Sequence, residues 1–369
     1  MIPQKLYGRE TQTEQLLQAF DRVSKGSGEI VLVGGYSGIG KSALVHEILR
    51  NLTKQRGYLI SGKFDQFKRN VPYTCFNQAM RSLVQQILTE SESQIDLWRD
   101  KLLGVLDANA RIAIEAIPEL ELILGPQPDV PKLGAIESQN RFNRVMQQFV
   151  QAIVTAEHPL VMFFDDCQWM DSATVDMYQQ NCLGKMPYLL VIVAYRDNEV
   201  SPIHPFMLAN KAIRAAGVPM TAITLAPLAI GHATQLIAET LSCSAKTATP
   251  LANLLVKKTN GNPFFLKQML KYLHQKSWLK FNQKTAQWQW NIERQEISEN
   301  VVDLMVDKIQ TLSTETQKVL QLAACINNQF SLDMLSVASG QSWTETARDL
   351  WEALQVGLIL PVDNSYQIL

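Results

Sequence analysis

The chain has 369 residues, of which 46% are hydrophobic and 19% charged, and a formal net charge of -1 at pH 7, which predicts an ordinary globular protein of two or three domains. The lack of a basic excess argues against nucleic acid or an anionic membrane surface as the main partner. The five cysteines are widely spaced and form no CxxC pair, which favours a cytoplasmic protein. The N-terminus is polar, and no apolar run is long enough to cross a bilayer, so we expect no signal peptide and no membrane segment.

Along the first 228 residues, short and continuously apolar runs alternate with helix-like segments. The runs are EIVLVG (29–34), GYLISGKFD (57–65), PLVMFFDD (159–166), YLLVIVAYRD (188–197) and MTAITLAPL (220–228). Runs of this kind suit strands buried on both faces, as in a parallel sheet. The alternation therefore predicts an α/β domain with a doubly wound parallel sheet over residues 1–227.

Beyond residue 227 the pattern becomes helical. Residues 228–297 are predicted to form a helical lid domain with a tryptophan-bearing hairpin in WLKFNQKTAQWQWN (278–291). Residues 298–369 carry three more helix candidates, then a strand, a turn and the start of another strand. This order predicts a winged-helix domain whose wing is truncated and incomplete.

The sequence GYSGIGKS, between the first predicted strand and the helix after it, matches the pattern GxxxxGK(S/T) in full. It comprises Gly35, Tyr36, Ser37, Gly38, Ile39, Gly40, Lys41 and Ser42. Glycines allow successive N–H groups to turn toward phosphate oxygens, and the following helix adds a positive field. Lys41 is expected to reach the β- and γ-phosphates, and the Ser42 hydroxyl to bind Mg²⁺. The motif predicts a P-loop NTPase that binds ATP or ADP with Mg²⁺, against the alternative of a chance glycine loop.

The run PLVMFF ends in two adjacent aspartates, Asp165 and Asp166. A carboxylate at the end of a buried strand commonly holds the magnesium of a P-loop NTPase, and we assign that role to Asp165. Asp166 is then placed to orient or deprotonate the attacking water. The alternative is that both aspartates cap the next helix, but Asp171 is the better cap.

The strand candidate LLVIVAY is followed by Arg196. An arginine at a strand end can sense a γ-phosphate through bidentate contacts. An ion pair with Asp197 or Glu199 explains the same residue equally well from spacing alone. In GKFDQFKRN, Lys63, Lys68 or Arg69 could serve a neighbouring subunit's phosphate, although charges in such a segment more often lie on a solvated loop.

Seven segments together give the chain a family resemblance. They are YGRE (7–10), GYSGIGKSALV (35–45), GKFDQFKRNVPY (62–73), QNRFNRV (139–145), FFDDCQWMD (163–171), AYRDNEV (194–200) and TNGNPFFL (259–266). They resemble the STAND class of AAA P-loop ATPases. More narrowly, they resemble the origin-recognition-complex-like AAA ATPase segment of bacterial multi-domain signalling serine/threonine and histidine kinases.

The resemblance implies further site residues. Gly8 and Arg9 match an element that lies by the adenine, and Arg196 matches the sensor arginine. Pro263 matches a proline that packs on the base. From the residues alone, the segment around Pro263 is a turn with proline at the first position of a helix, and the two interpretations are compatible.

The resemblance also implies a nucleotide switch with slow Mg²⁺-dependent hydrolysis, in which ADP holds the domains together and ATP releases them. The expected partners are kinase or sensor domains of the same signalling system, with a homo-oligomer as a further option in the ATP state. The chain has no HRD loop and no DFG motif, so no kinase activity is expected, and we expect a fragment or a split gene.

Two other functions are consistent with parts of the sequence. A DNA-binding AAA and winged-helix regulator is one, but the segment where a recognition helix would fall, TARDLWEALQVGLIL (346–360), has one arginine against two acidic residues and suits protein packing better than phosphate contact. A nucleotide-independent scaffold is the other, and it predicts that ATP has no effect on stability.

Overall fold

The computed structural model describes residues 2–47, 57–66, 71–183, 186–282, 287–290, 306, 309–326, 329–362 and 365–368. The chain divides into two compact units. Unit 1 comprises Met1–Leu236 and Asn262–Phe264, and unit 2 comprises Ile237–Gly261 and Phe265–Leu369. The three domain ranges predicted from the sequence stay a prediction.

The described residues form ten strands and fifteen helices. The strands are β1 (Glu29–Gly34), β2 (Tyr58–Lys63), β3 (Leu160–Asp165), β4 (Leu189–Tyr195), β5 (Met220–Thr224), β6 (Leu279–Asn282), β7 (Gln287–Trp290), β8 (Gln329–Phe330), β9 (Ile359–Val362) and β10 (Ser365–Ile368). The helices are α1 (Glu10–Ser24), α2 (Lys41–His46), α3 (Thr74–Ile87), α4 (Glu92–Leu106), α5 (Ala110–Ala116), α6 (Glu121–Leu124), α7 (Ala135–Ile153), α8 (Ser172–Leu183), α9 (Pro205–Ala215), α10 (Ile230–Thr240), α11 (Ala245–Thr259), α12 (Pro263–Gln275), α13 (Thr314–Ile326), α14 (Leu332–Ser339) and α15 (Trp343–Gln355). Across the described ranges, none of these helices has both the length and the apolar character needed to cross a membrane.

Unit 1 is built on a five-stranded sheet in the order β2-β3-β4-β1-β5, and every neighbouring pair is parallel. The predicted α/β class and parallel sheet are confirmed. Strand β4 lies between β1 and β3, and Gly34 of β1 is in register with Tyr195 of β4. Because parallel strands end at the same edge of a sheet, the segments that follow β1, β3 and β4 meet there.

Successive side chains of β1 enter two different apolar cores. Ile30 and Leu32 belong to one core, whereas Val31 and Val33 belong to the other. Alternation of this kind means that both faces of the sheet are covered, as a doubly wound fold requires. The continuous apolar runs of the sequence are explained by this two-sided burial, which supplies most of the stabilisation through the hydrophobic effect.

Unit 2 contains two small antiparallel sheets. Strands β6 and β7 form the predicted hairpin, in which Trp288 lies opposite Phe281 and their rings meet edge to face at 5.5 Å. Trp278 packs edge-on against Tyr272 at 6.0 Å. These two tryptophans therefore pack against aromatic neighbours within their own unit.

The C-terminal part of unit 2 has helices α13, α14 and α15 and a three-stranded sheet in the order β8-β10-β9. Its core includes Phe330, Leu335, Leu350 and Ile359. The hairpin that the sequence predicts as incomplete has its two strands paired over four residues each, from Ser365 opposite Val362 to Ile368 opposite Ile359. The described elements follow in the order helix, strand, helix, helix, strand, strand, and the winged-helix assignment stays a prediction.

Candidate functional site

The loop between β1 and α2 has the backbone conformation that its glycines permit. Gly35, Gly38 and Gly40 have φ angles of 150°, 72° and 103°, a region that residues with a Cβ rarely adopt. The whole of β1 is buried, and α2 begins directly after Gly40. The strand–loop–helix context that the motif requires is therefore present.

Lys41 points its ammonium group back into this loop. Its Nζ donates to the carbonyl oxygens of Gly35 at 2.7 Å and Tyr36 at 3.0 Å, and the residue is only 7% exposed. Burial lowers the pKa of Lys41, while the charges of Asp165 and Asp166 act in the opposite direction. The loop thus holds a buried cation beside two carboxylates.

Ser42 and Asp165 are in direct contact although 123 residues separate them. The Ser42 hydroxyl donates to Asp165 Oδ2 at 2.7 Å. The other oxygen, Oδ1, accepts the backbone N–H of Asp166 at 2.9 Å. A hydroxyl and a carboxylate are the hard oxygen ligands that Mg²⁺ prefers, so this donor set fits the metal that the sequence predicts.

Asp166 lies where the chain turns at the end of β3. Its backbone is left-handed, with φ 55°, and its side chain is 8% exposed. Oδ1 accepts from Arg196 Nε at 3.2 Å and from Gln168 Nε2 at 3.0 Å, and Oδ2 lies 3.5 Å from Lys63 Nζ. Because Asp171 accepts the Thr174 N–H at 2.8 Å, the helix cap is Asp171, and Asp165 and Asp166 are available to the site.

Arg196 follows β4, between the phosphate loop and the end of β3. Besides Asp166, its guanidinium contacts Glu199 Oε1 at 2.7 Å and lies over the Trp169 ring at 4.7 Å, a cation–π distance. The Glu199 ion pair that the sequence allows is present, but it is not the only contact of Arg196. The side chain reaches the candidate site as well.

Arg9 lies against the phosphate loop, and Gly8 before it lies against His232. Arg9 is 6% exposed, and its Nη2 donates to the carbonyl oxygens of Ala226 at 2.7 Å and Ile39 at 3.3 Å. Burial lowers the pKa of Arg9. At Gly8, where φ is 61°, a Cβ would lie 2.5 Å from the His232 ring. Arg9 therefore joins the loop to the segment after β5.

Residues 262–264 also contact the phosphate loop. Asn262 Nδ2 donates to the Ser37 carbonyl at 2.9 Å, and the Phe264 N–H lies 3.3 Å from the Gly38 carbonyl. A Cβ on Gly38 would lie 2.9 Å from Phe264 Cβ, closer than such atoms approach. Pro263, between them, is the first residue of α12, as the sequence predicts.

Three residues of this site were not assigned to it from the sequence alone: Gln168, Lys63 and Asn262. Gln168 is within the motif FFDDCQWMD, and Lys63 was considered only for a neighbouring subunit. Asn262 was treated as part of a turn. Lys68 and Arg69 lie outside the described residues.

Cys167, next to the two aspartates, is fully buried, and burial raises the pKa of its thiol well above the usual value. Its Sγ donates to the Phe164 carbonyl at 3.2 Å. A buried thiol with a raised pKa is a poor nucleophile. Cys167 is therefore interpreted as a buried structural residue.

A family model described as AAA ATPase domain matches residues 5–192, about half of the chain. The matched range contains the phosphate loop, both aspartates and strands β1 to β3, together with most of β4.

Two curated relatives of the chain are named as histidine kinases. The chain is 29% identical to the hybrid signal transduction histidine kinase G of Dictyostelium discoideum, over 97% of this chain and 12% of that protein. It is 22% identical to the peroxide stress-activated histidine kinase mak2 of Schizosaccharomyces pombe, over 72% of this chain and 12% of that protein. The chain thus spans about an eighth of the length of these relatives.

Two solved structures align with this chain at low sequence identity. A Signal Transduction ATPase with Numerous Domains (STAND) protein with a tetratricopeptide repeat sensor from Pyrococcus horikoshii aligns with a TM-score of 0.48 and 14% identity, over 95% of this chain and 40% of that chain. Cdc6p from Pyrobaculum aerophilum aligns with a TM-score of 0.45 and 12% identity, over 100% of this chain and 91% of that chain. Since both TM-scores lie below 0.5, we assign the fold from the strand order and direction of the sheet in this chain.

Proposed function

The chain belongs to the AAA ATPase domain family, and on that premise we propose that it is an ATP- and ADP-binding regulatory module of a multi-domain signalling kinase system. One observation carries the proposal. The phosphate loop with Lys41, the Ser42–Asp165 pair and the Asp166–Arg196 pair all lie at one edge of the sheet.

Each part of this edge has a role in the proposed site. The loop N–H groups and Lys41 bind the phosphates, while Ser42 and Asp165 hold Mg²⁺. When bound, Mg²⁺ supplies positive charge that neutralises the phosphate oxygens. Asp166 orients the attacking water, and Arg196 contacts the γ-phosphate.

The nucleotide base is proposed to lie by Gly8, Arg9 and Pro263. Arg9 acts there mainly by holding the loop, because its guanidinium donates to the carbonyls of Ile39 and Ala226. Pro263 is flanked by Asn262 and Phe264, both of which contact the loop. A base that packs on Pro263 would therefore lie next to the phosphate loop.

The nucleotide is proposed to be a signal more than a fuel. A ligand shifts a conformational equilibrium only by its differential affinity for the two states, and Lys41, Asp166 and Arg196 are the groups that can distinguish ATP from ADP. Slow hydrolysis is part of the same proposal, because an ATP-bound state has to persist if it is to act as a signal.

The partners are proposed to be kinase or sensor domains of the same system, because the curated relatives are named as histidine kinases. A winged helix at 298–369, a cytoplasmic location and a homo-oligomer in the ATP state complete the proposal. The bacterial setting of the family resemblance stays a prediction.

The proposal is tested by titrating the purified chain with a fluorescent ATP analogue and with ADP, with Mg²⁺ or with EDTA, and by measuring single-turnover hydrolysis. We expect both nucleotides to bind and hydrolysis to be far slower than nucleotide exchange. Asp165→Asn should lose the Mg²⁺-dependent part of ATP affinity. Asp21→Asn, a surface aspartate paired with Lys25, is the matched control and should behave as the wild type.

Other outcomes would support the competing functions. A folded wild-type chain that binds neither nucleotide would be a scaffold. A salt-dependent gel shift with duplex DNA, together with nucleotide binding, would favour the DNA-binding regulator.

A further inference from the structure

We propose that Gln168 is a positioning residue that fixes Asp166 and the end of strand β4 relative to each other. The inference rests on the proposed function, because it assigns Gln168 a part in the same nucleotide site. Its role is to hold the Asp166 carboxylate in one orientation, with a defined oxygen toward the water, and to fix the position of the Arg196 backbone.

Gln168 has one amide group and two partners on different strand ends. Its Nε2 donates to Asp166 Oδ1 at 3.0 Å, and its Oε1 accepts the backbone N–H of Arg196 at 3.1 Å. The residue is 3% exposed, so neither bond can be replaced by bulk water. The partners also fix the orientation of the amide, since the reverse orientation would set its oxygen against a carboxylate and its NH₂ against an N–H.

The two bonds have a direct consequence for Asp166. Oδ1 accepts hydrogen bonds from both Gln168 Nε2 and Arg196 Nε, whereas Oδ2 lies 3.5 Å from Lys63 Nζ in an ion pair. Oδ2 is therefore the oxygen less engaged by hydrogen bonds and the one available to a water molecule. Without Gln168 the Asp166 carboxylate could rotate, and Oδ2 would no longer be the one oxygen held toward the water.

The backbone conformation of the turn after β3 also points to a positioning role for Gln168. Asp166 has a left-handed φ of 55°, and the following turn is closed by the Trp169 N–H, which donates to the Asp166 carbonyl at 3.0 Å. That turn also places Trp169 beneath the Arg196 guanidinium. Gln168 lies inside this turn and connects it to β4, so it supports both the strained backbone and the cation above it.

A glutamine can also connect two elements without taking part in the site. The half-buried Gln86 on α3 is an example, because its Nε2 donates to the carbonyl oxygens of Leu59 at 2.9 Å and Ser82 at 3.2 Å, away from the aspartates. Gln168 differs because one partner is the candidate catalytic carboxylate and the other is the sensor arginine. Gln86→Glu therefore provides a control for replacing a hydrogen-bonded glutamine by glutamate outside the site.

The test is the pH profile of Gln168→Glu. A protonated glutamate reproduces both bonds, because its O–H can donate to Asp166 and its C=O can accept the Arg196 N–H. An ionised glutamate sets a second carboxylate against Asp166. The charged groups facing position 168 are Asp166 and Arg196, with Lys63 and Glu199 behind them and Lys41 and Asp165 toward the loop.

We expect the single-turnover rate of Gln168→Glu to lie within about twofold of the wild type at about pH 6 and to fall about tenfold or more below it by about pH 9, which is the scale of a misplaced catalytic group. The ratio of the two rates cancels the titration of the nucleotide itself. Gln86→Glu should give a ratio that does not change with pH. A flat ratio for Gln168→Glu would overturn the proposal.

A second variant covers failure of Gln168→Glu to fold. Gln168→Met keeps the volume and removes both bonds, and it should hydrolyse ATP about tenfold more slowly or worse while its ADP affinity stays within about twofold of the wild type. Hydrolysis at the wild-type rate would overturn the positioning role. If the folded wild type binds no nucleotide, the proposed function itself fails, and this result differs from a wild type that binds and a variant that does not respond.

Discussion

Substitution of Lys41 by alanine gives the most direct measure of the proposed nucleotide site. The ammonium is buried and held by the carbonyls of Gly35 and Tyr36, so it is already positioned within the loop. Its charge-assisted bonds to phosphate should contribute about 2–3 kcal/mol. Loss of about 2.7 kcal/mol corresponds to about a hundredfold weaker affinity.

The consequence for stability follows from mass action. At a nucleotide concentration about a hundredfold above the dissociation constant, the wild type should gain about 2.7 kcal/mol, whereas Lys41→Ala should gain about 0.4 kcal/mol. For a domain of about 150–250 residues, this predicts a rise in Tm of about 5–11 °C for the wild type and about 1–2 °C for the variant.

Differential scanning fluorimetry with and without ATP and Mg²⁺ measures both shifts. Lys25→Ala, which removes an exposed lysine paired with Asp21, is the control and should keep the full shift, because surface ion pairs contribute about 0–1 kcal/mol. Equal ATP-induced shifts in Lys41→Ala and the wild type would refute the assignment of Lys41 to the phosphates.

Two further predictions concern the loop and its contact with Asn262, and a third concerns Glu29 at the start of β1. Gly38→Ala should weaken ATP binding at least tenfold by fluorescence titration, because its Cβ would lie 2.9 Å from Phe264 Cβ in a backbone conformation that favours glycine; unchanged affinity would show that the loop adapts. Asn262→Ala should weaken binding about fivefold, because its hydrogen bond to the Ser37 carbonyl of the loop, which contributes about 1 kcal/mol, is lost; an unaltered affinity would separate this contact from function. Burial raises the pKa of Glu29, but the hydrogen bonds that it accepts from Arg22 and from a threonine hydroxyl together lower the pKa by a larger amount. The pKa of Glu29 therefore lies below its usual value. The stabilisation by Glu29 should therefore be complete above about pH 4.5 and lost as the pH falls through the lowered pKa; urea unfolding of Glu29→Gln should show a weaker acid dependence than the wild type, and an identical dependence would contradict this.

Several features of the fold could be predicted from local patterns. Runs such as EIVLVG predicted strands buried on both faces, because a strand in the centre of a parallel sheet has no solvated side. The glycine spacing before Lys41 predicted the phosphate loop, because its positive φ angles are intrinsic to those residues. Asp165 was predicted from its position at a strand end.

The contacts of Lys63 were not predictable in the same way. The sequence suggested, at most, a phosphate on a neighbouring subunit. In the structure, β2 pairs with β3 so that Lys63 lies opposite Asp165, and its Nζ therefore lies 3.5 Å from Asp166 Oδ2. Nothing in the local pattern around Lys63 specifies which strand lies next to it.

Local patterns were thus sufficient to predict the strands, the phosphate loop and the candidate carboxylates, because each depends on the conformational preferences of neighbouring residues. The position of β4 between β1 and β3, which brings Arg196 to Asp166 and lets Gln168 connect them, is seen only in the three-dimensional fold. The fold also brings Ser42 to Asp165 and Arg9 to the carbonyl of Ala226. Such contacts join residues far apart in the chain, and they form because the order of the strands places those residues at one edge, which no local periodicity encodes.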